Sequence, residues 1–157
     1  MQIAYSATYN VTIKAPQPKV FDYVADISRH GEWGMDNMKA TAEQAGSPAI
    51  GMRYKAEGLL MGKVNPSVVT ITALDAPKHL AFDAEDSNSV FHHDFTFTPD
   101  GGGTHVERVV TMTKGPWYNQ PDHADRVQRH RGQELRWRTA EGEGEGGVRQ
   151  LTGATGL

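Results

Sequence analysis

Residues 89–113 read SVFHHDFTFTPDGGGTHVERVVTMT, two alternating runs on either side of a glycine-rich turn. In the first run every second position carries a ring, at Phe91, His93, Phe95 and Phe97. Successive side chains of a β-strand point to opposite faces, so these residues share one face, and the phenylalanines make it the buried one. The pattern predicts an antiparallel hairpin with His93 pointing into the protein.

The second run of this hairpin places Val106, Arg108, Val110 and Met112 on one face. Arg108 is therefore expected to point inward among apolar side chains. Both apolar rows lie on the same side only if odd-numbered residues of the first strand pair with even-numbered residues of the second, because a slip by one residue inverts a whole row. This register predicts that His93 and Arg108 lie opposite or diagonal to each other.

The chain before the hairpin predicts one short helical region and several more strands. Apolar residues recur at helical spacing over 19–27, and residues 28–34 are expected to add a second helical turn. Alternating segments joined by short turn sequences predict strands at residues 8–13, 39–44, 52–59, 63–74 and 79–85. The connections are too short for crossover helices, so we expect a largely antiparallel sheet of about seven strands with one covered face.

The segment from Pro116 to Arg138 is long enough for a second major helix, the partner that a sheet with one apolar face needs. Its amphipathic pattern is poor, because arginines interrupt the apolar stripe and Gly132 costs about 1 kcal/mol relative to alanine. Either the helix covers the sheet with few apolar contacts and long arginine stems, or a partner chain completes the core. Residues 139–157, rich in Gly and Glu, are expected to form a flexible tail behind a domain of residues 1–138.

Length and composition indicate one ordinary globular domain. The chain has 157 residues, of which 38% are hydrophobic and 22% charged, a formal net charge of −3 and no cysteine. This charge gives no bulk attraction to nucleic acid, and the lack of cysteine excludes disulfides, thiolate nucleophiles and sulfur-ligated zinc. Because no run of about 18 apolar residues and no signal-peptide pattern occurs, we expect a cytoplasmic protein that does not insert into membranes.

Motifs for metals, phosphates and nucleophilic catalysis are weak or missing. His92 and His93 are adjacent on a strand and so point to opposite faces, whereas His123 and His130 have no evident third ligand. The glycines at 101–103 stand between two strands, which makes them a hairpin turn rather than a phosphate cradle. A Gly-x-Ser-x-Gly motif is absent. We therefore expect neither a metal nor a cofactor.

Several local motifs resemble those of the START-like superfamily, also called SRPBCC, and especially its polyketide cyclase/dehydrase-like branch. The opening motifs are Ile13-Lys14-Ala15-Pro16, Val20-Phe21-Asp22-Tyr23-Val24-Ala25-Asp26 and Glu32-Trp33. Later landmarks follow in the same order, at 51–54, 75–82, 95–99 and 103–106. The resemblance covers roughly residues 8–112 and rests on the order and spacing of these motifs together.

The resemblance implies an α+β helix-grip fold. In this fold two short helices follow the first strand, and a curved antiparallel sheet wraps around a long C-terminal helix, leaving an apolar cavity between them. The resemblance does not imply one reaction, because members include passive lipid or hormone binders, transfer proteins, cyclases and co-chaperones.

The polar residues that are expected to point inward are the candidates for ligand contact. Each of them also has an alternative explanation as a purely structural residue. Buried arginine needs a partner, so Arg108 indicates a ligand with an acidic or carbonyl group, unless it reaches water or the C-terminal helix at the sheet's rim. A neighbouring guanidinium is expected to keep His93 neutral and available as a base or hydrogen-bond acceptor. Alternatively, His93 is merely satisfied by a hydroxyl such as that of Tyr54.

Two aromatic residues complete the polar anchors of the expected site. Tyr54 donates its phenolic hydrogen to a carbonyl or packs in the core with its hydroxyl at the edge. Trp33, between Gly31 and Gly34, is either a residue at the cavity mouth or a core anchor. The full set of expected ligand contacts is Trp33, Tyr54, Phe82, Phe91, His93, Phe95 and Arg108.

Three functions from different classes fit this set. The first hypothesis is binding of a hydrophobic small molecule of lipid, polyketide or aromatic type in the cavity. The alternative is a cyclase/dehydratase-type enzyme, in which His93 takes a proton alpha to a carbonyl while Arg108 and Tyr54 stabilise the enolate. The third is an interaction or co-chaperone module without a ligand, favoured if the protein's own side chains fill the cavity. A monomer or a homodimer fits each of them.

Overall fold

The computed structural model describes residues 5–33, 38–60 and 62–115. The elements in chain order are β1 (Tyr5–Ile13), α1 (Gln17–Ala25), a 3-10 helix (Ile27–Arg29), α2 (His30–Trp33), β2 (Lys39–Ala42), β3 (Arg53–Leu60), β4 (Lys63–Asp75), β5 (His79–Glu85), β6 (Val90–Asp100) and β7 (Gly103–Lys114). The helix expected over 116–138 and the tail expected over 139–157 lie outside the described residues.

The strands form one seven-stranded sheet in the order β1-β7-β6-β5-β4-β3-β2, and every pair is antiparallel. Strands β2 to β7 follow one another as a meander, while β1 pairs with the last strand, β7. The chain between β1 and β2 therefore crosses the sheet, and α1 contacts β6 and β7. The predicted antiparallel sheet with two short helices after the first strand is confirmed.

The register of the β6–β7 hairpin is the predicted one. Phe95 pairs with Arg108 and His93 with Val110, so odd-numbered residues of β6 face even-numbered residues of β7. The tight turn between these strands places Gly101 and Gly102 at positive φ angles of 56° and 85°, which glycine adopts without steric cost. His93 and Arg108 consequently occupy diagonal positions on the same face of the sheet.

The helical region begins after Pro16, and one face of α1 packs on the sheet. Pro18 lies in the first turn of α1, where its missing N–H is not needed. Phe21 is buried and contacts Phe97 of β6 edge-to-face, with ring centroids 5.2 Å apart. After α1 the Asp26 carboxylate accepts a hydrogen bond from the Ser28 backbone N–H at 3.2 Å and caps the 3-10 helix. The capped 3-10 helix is followed directly by α2.

A close backbone approach fixes the end of the helical region. A Cβ atom at Gly31 would overlap the carbonyl oxygen of Met38, so only glycine fits at this position. The glycine therefore allows α2 to lie close to the segment that leads into β2, and α2 contacts β2. In the described ranges, no helix has the length and apolar composition that spanning a bilayer requires.

The core lies between the helical region and one face of the sheet. Its largest fully buried side chains are Phe82, Phe95, Ile27, Ile71, Leu80, Met112, Val20, Val69 and Thr104. Burial of one large apolar side chain stabilises a fold by about 2–3 kcal/mol, so these side chains contribute strongly to stability. Any polar side chain on the same face is an exception that needs an explanation.

Candidate functional site

On the inner face, ring nitrogens and a guanidinium from α2, β6 and β7 lie close together. We call His30, Trp33, His93 and Arg108 the polar cluster. His93 is 8% exposed, His30 5% and Trp33 3%, although these side chains carry ring nitrogens that form hydrogen bonds in water. Burial of such groups costs free energy unless hydrogen bonds replace the lost water, so the partners of each group decide what the cluster can do.

The central contact of the polar cluster joins Arg108 to His93. The distance from Arg108 Nη2 to His93 Nδ1 is 2.8 Å. A guanidinium only donates hydrogen bonds, so Nδ1 of His93 accepts, and the proton of the neutral imidazole is on Nε2. His93 therefore presents a donor N–H at Nε2, while the lone pair of Nδ1 is already engaged.

The charge state of His93 agrees with this assignment. Burial holds the pKa of His93 well below its ordinary value, and Arg108, His30 and His92 lower it further. The lowered pKa agrees with the prediction that His93 is neutral. Desolvation is the larger cause and the neighbouring guanidinium the second, because burial penalises a charged imidazole even without a neighbour.

Aromatic rings on both neighbouring strands hold the guanidinium of Arg108. Tyr9 of β1 and Phe95 of β6 lie opposite Arg108 in the two strand pairs. The guanidinium carbon lies 5.9 Å from the centroid of the Tyr9 ring and 5.5 Å from that of Phe95. These cation–π contacts fix the charge above the middle of β7, and their value increases as water is removed.

His30 belongs to the polar cluster, although sequence reasoning did not single it out. Its ring stacks on Trp33 with centroids 4.2 Å apart and an interplanar angle of 11°, and its edge contacts Phe82 at 5.8 Å. Burial, with a smaller contribution from Arg108, lowers the pKa of His30 to about 3. The signal was the spacing from Trp33, because residues three apart in a helical turn share a face.

Two buried nitrogens of the polar cluster lack a hydrogen-bond partner within the described part of the chain. They are Nδ1 of His30 and Nε1 of Trp33. The indole N–H is a donor only, whereas Nδ1 of His30 donates or accepts according to the tautomer. Native structures contain few such atoms, and each one needs an explanation, such as local strain, a catalytic role, a bound water or an ion.

Most of the expected ligand contacts come together around these nitrogens. Phe82 stacks on His93 with centroids 4.7 Å apart and on Phe95 at 5.8 Å. Trp33 meets Phe95 edge-to-face at 5.8 Å, which makes it a buried core residue rather than an exposed one. Phe91 is half-buried and lies one inward position along β6 from His93.

Tyr54 lies apart from the polar cluster. It belongs to β3, three strand spacings from β6, which corresponds to about 14 Å along the sheet. Its hydroxyl donates to Sδ of Met52 at 3.4 Å, and its pKa is raised by burial and by the nearby Asp26 carboxylate. The contacts of Tyr54 in the described part of the chain are thus with Met52 and Asp26, and β4 and β5 separate its strand from that of His93.

The opposite face of the same strands carries solvated charge. His92 Nδ1 lies 2.6 Å from the Asp83 carboxylate, and His79 Nε2 lies 2.9 Å from that of Asp94. Adjacent His92 and His93 therefore point to opposite faces, as strand alternation requires. Across residues 5–33, 38–60 and 62–115, no three His, Asp or Glu side chains are grouped to hold a metal ion.

Comparison with protein families matches residues 4–136 to the family described as "Polyketide cyclase / dehydrase and lipid transport". A search of curated protein sequences finds no match. The fold is similar to that of a START superfamily protein from Mycobacterium smegmatis, with a TM-score of 0.65, 11% identity, and 81% of this chain and 91% of that chain covered.

Two further solved structures agree with this fold. Protein Mll3558 from Rhizobium loti has a TM-score of 0.61 at 16% identity, with 82% of this chain and 90% of that chain covered. Protein Ms6760 from Mycobacterium smegmatis has a TM-score of 0.58 at 22% identity, with 80% of each chain covered. At such identities the likeness shows the fold alone, whereas the family match extends over most of the sequence. The chain therefore belongs to the family described as "Polyketide cyclase / dehydrase and lipid transport".

Proposed function

We propose that the protein binds a hydrophobic small molecule of lipid, polyketide or aromatic type against the inner face of β5, β6 and β7. The apolar rings supply the affinity, and the polar cluster orients the ligand. The description of the family, which joins cyclases and dehydrases with lipid transport, supports a ligand of this kind. A mostly apolar site with a few convergent polar groups is the usual form of a small-molecule site.

One observation carries this proposal: two buried, neutral imidazoles and a partly buried guanidinium lie among aromatic rings. For stability alone, apolar side chains of similar volume would serve this face as well or better, because burying the polar nitrogens of His30, Trp33 and His93 costs free energy. A ligand whose polar group forms hydrogen bonds with these nitrogens would offset the free-energy cost of burying them.

The geometry favours binding over proton abstraction by His93. A general base works best when its pKa lies near the working pH, and the pKa of His93 lies well below its ordinary value. The lone pair of its Nδ1 accepts the hydrogen bond from Arg108 and is not directed at a substrate. His93 is therefore a hydrogen-bond donor to the ligand in this proposal.

Native mass spectrometry of the freshly purified protein, together with titration by the apolar fluorophore 1-anilinonaphthalene-8-sulfonate, tests the proposal. Ala84 faces inward between Val69 and Phe91, so Ala84→Phe fills space on the proposed surface. Thr96→Phe adds a ring on the exposed outer face of β6 and serves as the control.

We expect Ala84→Phe to weaken probe binding at least tenfold, and Thr96→Phe to leave it within a factor of two. Circular dichroism confirms that each variant is folded. Equal binding by both variants would place the probe elsewhere. If neither a co-purified molecule nor probe binding were found, the protein would be a ligand-free module instead.

A further inference from the structure

The two edges of the sheet differ in how they are protected against further pairing. Among the residues that the structure describes, β1 and β2 each pair with another strand on one side only. β2 has four residues and begins with Lys39, and a short strand with a lysine discourages pairing with another chain. β1 has nine residues, Tyr5–Ile13, with no charge, no proline and no bulge in its pairing with β7. It therefore lacks the protection that β2 has.

The inner row of β1 is incompletely covered. Val11 and Ile13 are half-buried, whereas their partners on β7, Val106 and Thr104, are 4% and 0% exposed. A strand inside a sheet has neighbours on both sides, and β1 has one on a single side in the described ranges. A further strand beside β1 would remove this apolar area from water and continue the main-chain hydrogen bonding of the sheet.

The sequence of β1 fits a second copy of the same strand. If two copies run antiparallel with Tyr9 facing Tyr9, every residue of the strand has a partner in the other copy. Odd-numbered residues then face odd-numbered ones, so the apolar inner rows of the two copies meet on the same side of the sheet. Like charges that face each other would oppose such pairing, but β1 carries none. The strand is therefore complementary to itself in both pattern and charge.

We propose that two copies of this chain associate through β1, antiparallel and with Tyr9 at the twofold axis, and so join two seven-stranded sheets into one. Pairing of two identical edges has twofold symmetry and occupies both edges, so assembly stops at a dimer. Pairing of β1 with β2 of another copy would leave a free edge at each end and produce filaments, and the short, lysine-bearing β2 opposes it. The proposed dimer does not depend on the proposed ligand.

Light scattering of the full chain after size-exclusion chromatography, from about 5 to 200 µM, tests the dimer because its population depends on concentration. We expect twice the mass of one chain at the upper end. Thr8 of one copy faces Asn10 of the other, so Thr8→Lys with Asn10→Lys places lysines opposite lysines and should raise the Kd of the dimer at least tenfold. The control, Thr96→Lys with Thr98→Lys, adds the same charge at exposed positions of β6, inside the sheet, and should leave the Kd within a factor of two.

A second variant tests the register of the proposed pairing. Thr8 faces Val109 on β7, so Thr8→Glu introduces a carboxylate that meets no charge at the facing position of its own sheet. In a mixture with the double lysine variant, this carboxylate faces the lysine introduced at position 10 of the other copy. Native mass spectrometry separates the two variants by mass, and mixed dimers should exceed the half of all dimers that random pairing gives.

Three results would overturn the proposal. They are a chain that stays monomeric over the whole range, a dimer that the double lysine variant leaves intact, and a dimer that the control on β6 weakens equally.

Hydrogen exchange of the unaltered protein decides the question if the double lysine variant fails to fold. The amides of β1 should exchange at least threefold more slowly at the upper concentration than at the lower one, because pairing protects them. The amides of β2 should exchange at the same rate at both concentrations. Exchange in β1 that does not depend on concentration would also overturn the proposal.

Discussion

His92 and His93 are neighbours in the chain, yet they lie in two very different environments. On the outer face, His92 contacts the Asp83 carboxylate at 2.6 Å, and the two side chains are 37% and 41% exposed. On the inner face, His93 stacks on Phe82 and accepts a hydrogen bond from Arg108. One histidine has an acidic partner in water, and the other has a basic partner among aromatic rings.

The comparison shows how partner and burial together set the role of a side chain. The outer pair is of opposite charge when the imidazole is protonated, but water screens it and the pair contributes little. The inner pair keeps its imidazole neutral, since burial and the guanidinium both disfavour protonation. These polar groups lie among aromatic rings and not in water, which is why the inner face, and not the more heavily charged outer face, is the candidate site.

The largest loss of stability is expected from replacing Phe82, whose ring stacks on His93. Phe82 is fully buried and stacks on His93 and Phe95. Phe82→Ala should lower the free energy of unfolding by about 3–5 kcal/mol, because it removes a large buried side chain and leaves a cavity. Urea denaturation measures this loss. Phe91→Ala, at a half-buried position of the same face, is the matched control, and an equal loss there would contradict the packing described for Phe82.

The pH dependence of stability tests the charge state of the two inner histidines, His30 and His93. His30 and His93 have lowered pKa values, with Arg108 close to both, so the unfolded chain binds their protons first. The free energy of unfolding should therefore fall as the pH drops below about 6.5, by roughly 1 kcal/mol per pH unit for each histidine. For His30 the loss continues to about pH 3, where the folded protein binds that proton itself.

Denaturant titrations between pH 7.5 and 4.5 measure this slope. His30→Phe retains an aromatic ring against Trp33 and removes the titrating group, so it should flatten the slope by the share of one histidine. Thr96→Ala, at an exposed position of β6 without a titrating group, should leave the slope unchanged. A slope that is the same in His30→Phe and the unaltered protein would contradict the lowered pKa of His30.

Replacing the whole inner pair sharpens the distinction between stability and function. The double variant Arg108→Met with His93→Leu removes the guanidinium and the nitrogen that accepts its hydrogen bond together. We expect the free energy of unfolding to change by less than about 1 kcal/mol or to rise, because apolar side chains of similar size often replace buried polar pairs without loss. A loss above 3 kcal/mol, measured in urea, would make the pair structural.

The smallest effect is expected on the outer face. Asp83→Asn removes the carboxylate that contacts His92, and both side chains are more than a third exposed. The free energy of unfolding should change by at most about 1 kcal/mol near pH 6, and by less in 0.5 M salt, because the pair is screened. Thermal denaturation at two salt concentrations checks this, and a large salt-independent loss would show that the pair is not solvated.

Local periodicity was sufficient for the hairpin that carries the site. The alternation along 89–113 predicted the inward direction of His93 and Arg108 and the odd-to-even register, and both are observed. Such predictions succeed because a strand repeats every two residues and a slip would expose a whole apolar row. The predicted helical region and strands also match the observed elements closely, since turn residues and prolines mark most of their ends.

Short helical turns gave weaker signals. Residues 28–34 were expected to add a helical turn, and they form the 3-10 helix and α2. With so few residues, no apolar stripe marks the buried side, so His30 was not recognised as a neighbour of His93. His30 is buried because α2 packs between β2 and the inner face of the sheet. The spacing of residues in the sequence does not reveal this packing.

What the sequence alone determined was the direction of each strand residue, because alternation is a local property of the backbone. The tertiary structure decided which inward residues meet. Arg108 lies between Tyr9 and Phe95 only because β1 pairs with β7 from the other end of the described chain, and Tyr54 lies apart only because β4 and β5 intervene. Strand order is set by the packing of the whole sheet and its helices, and so it cannot be read from any one segment.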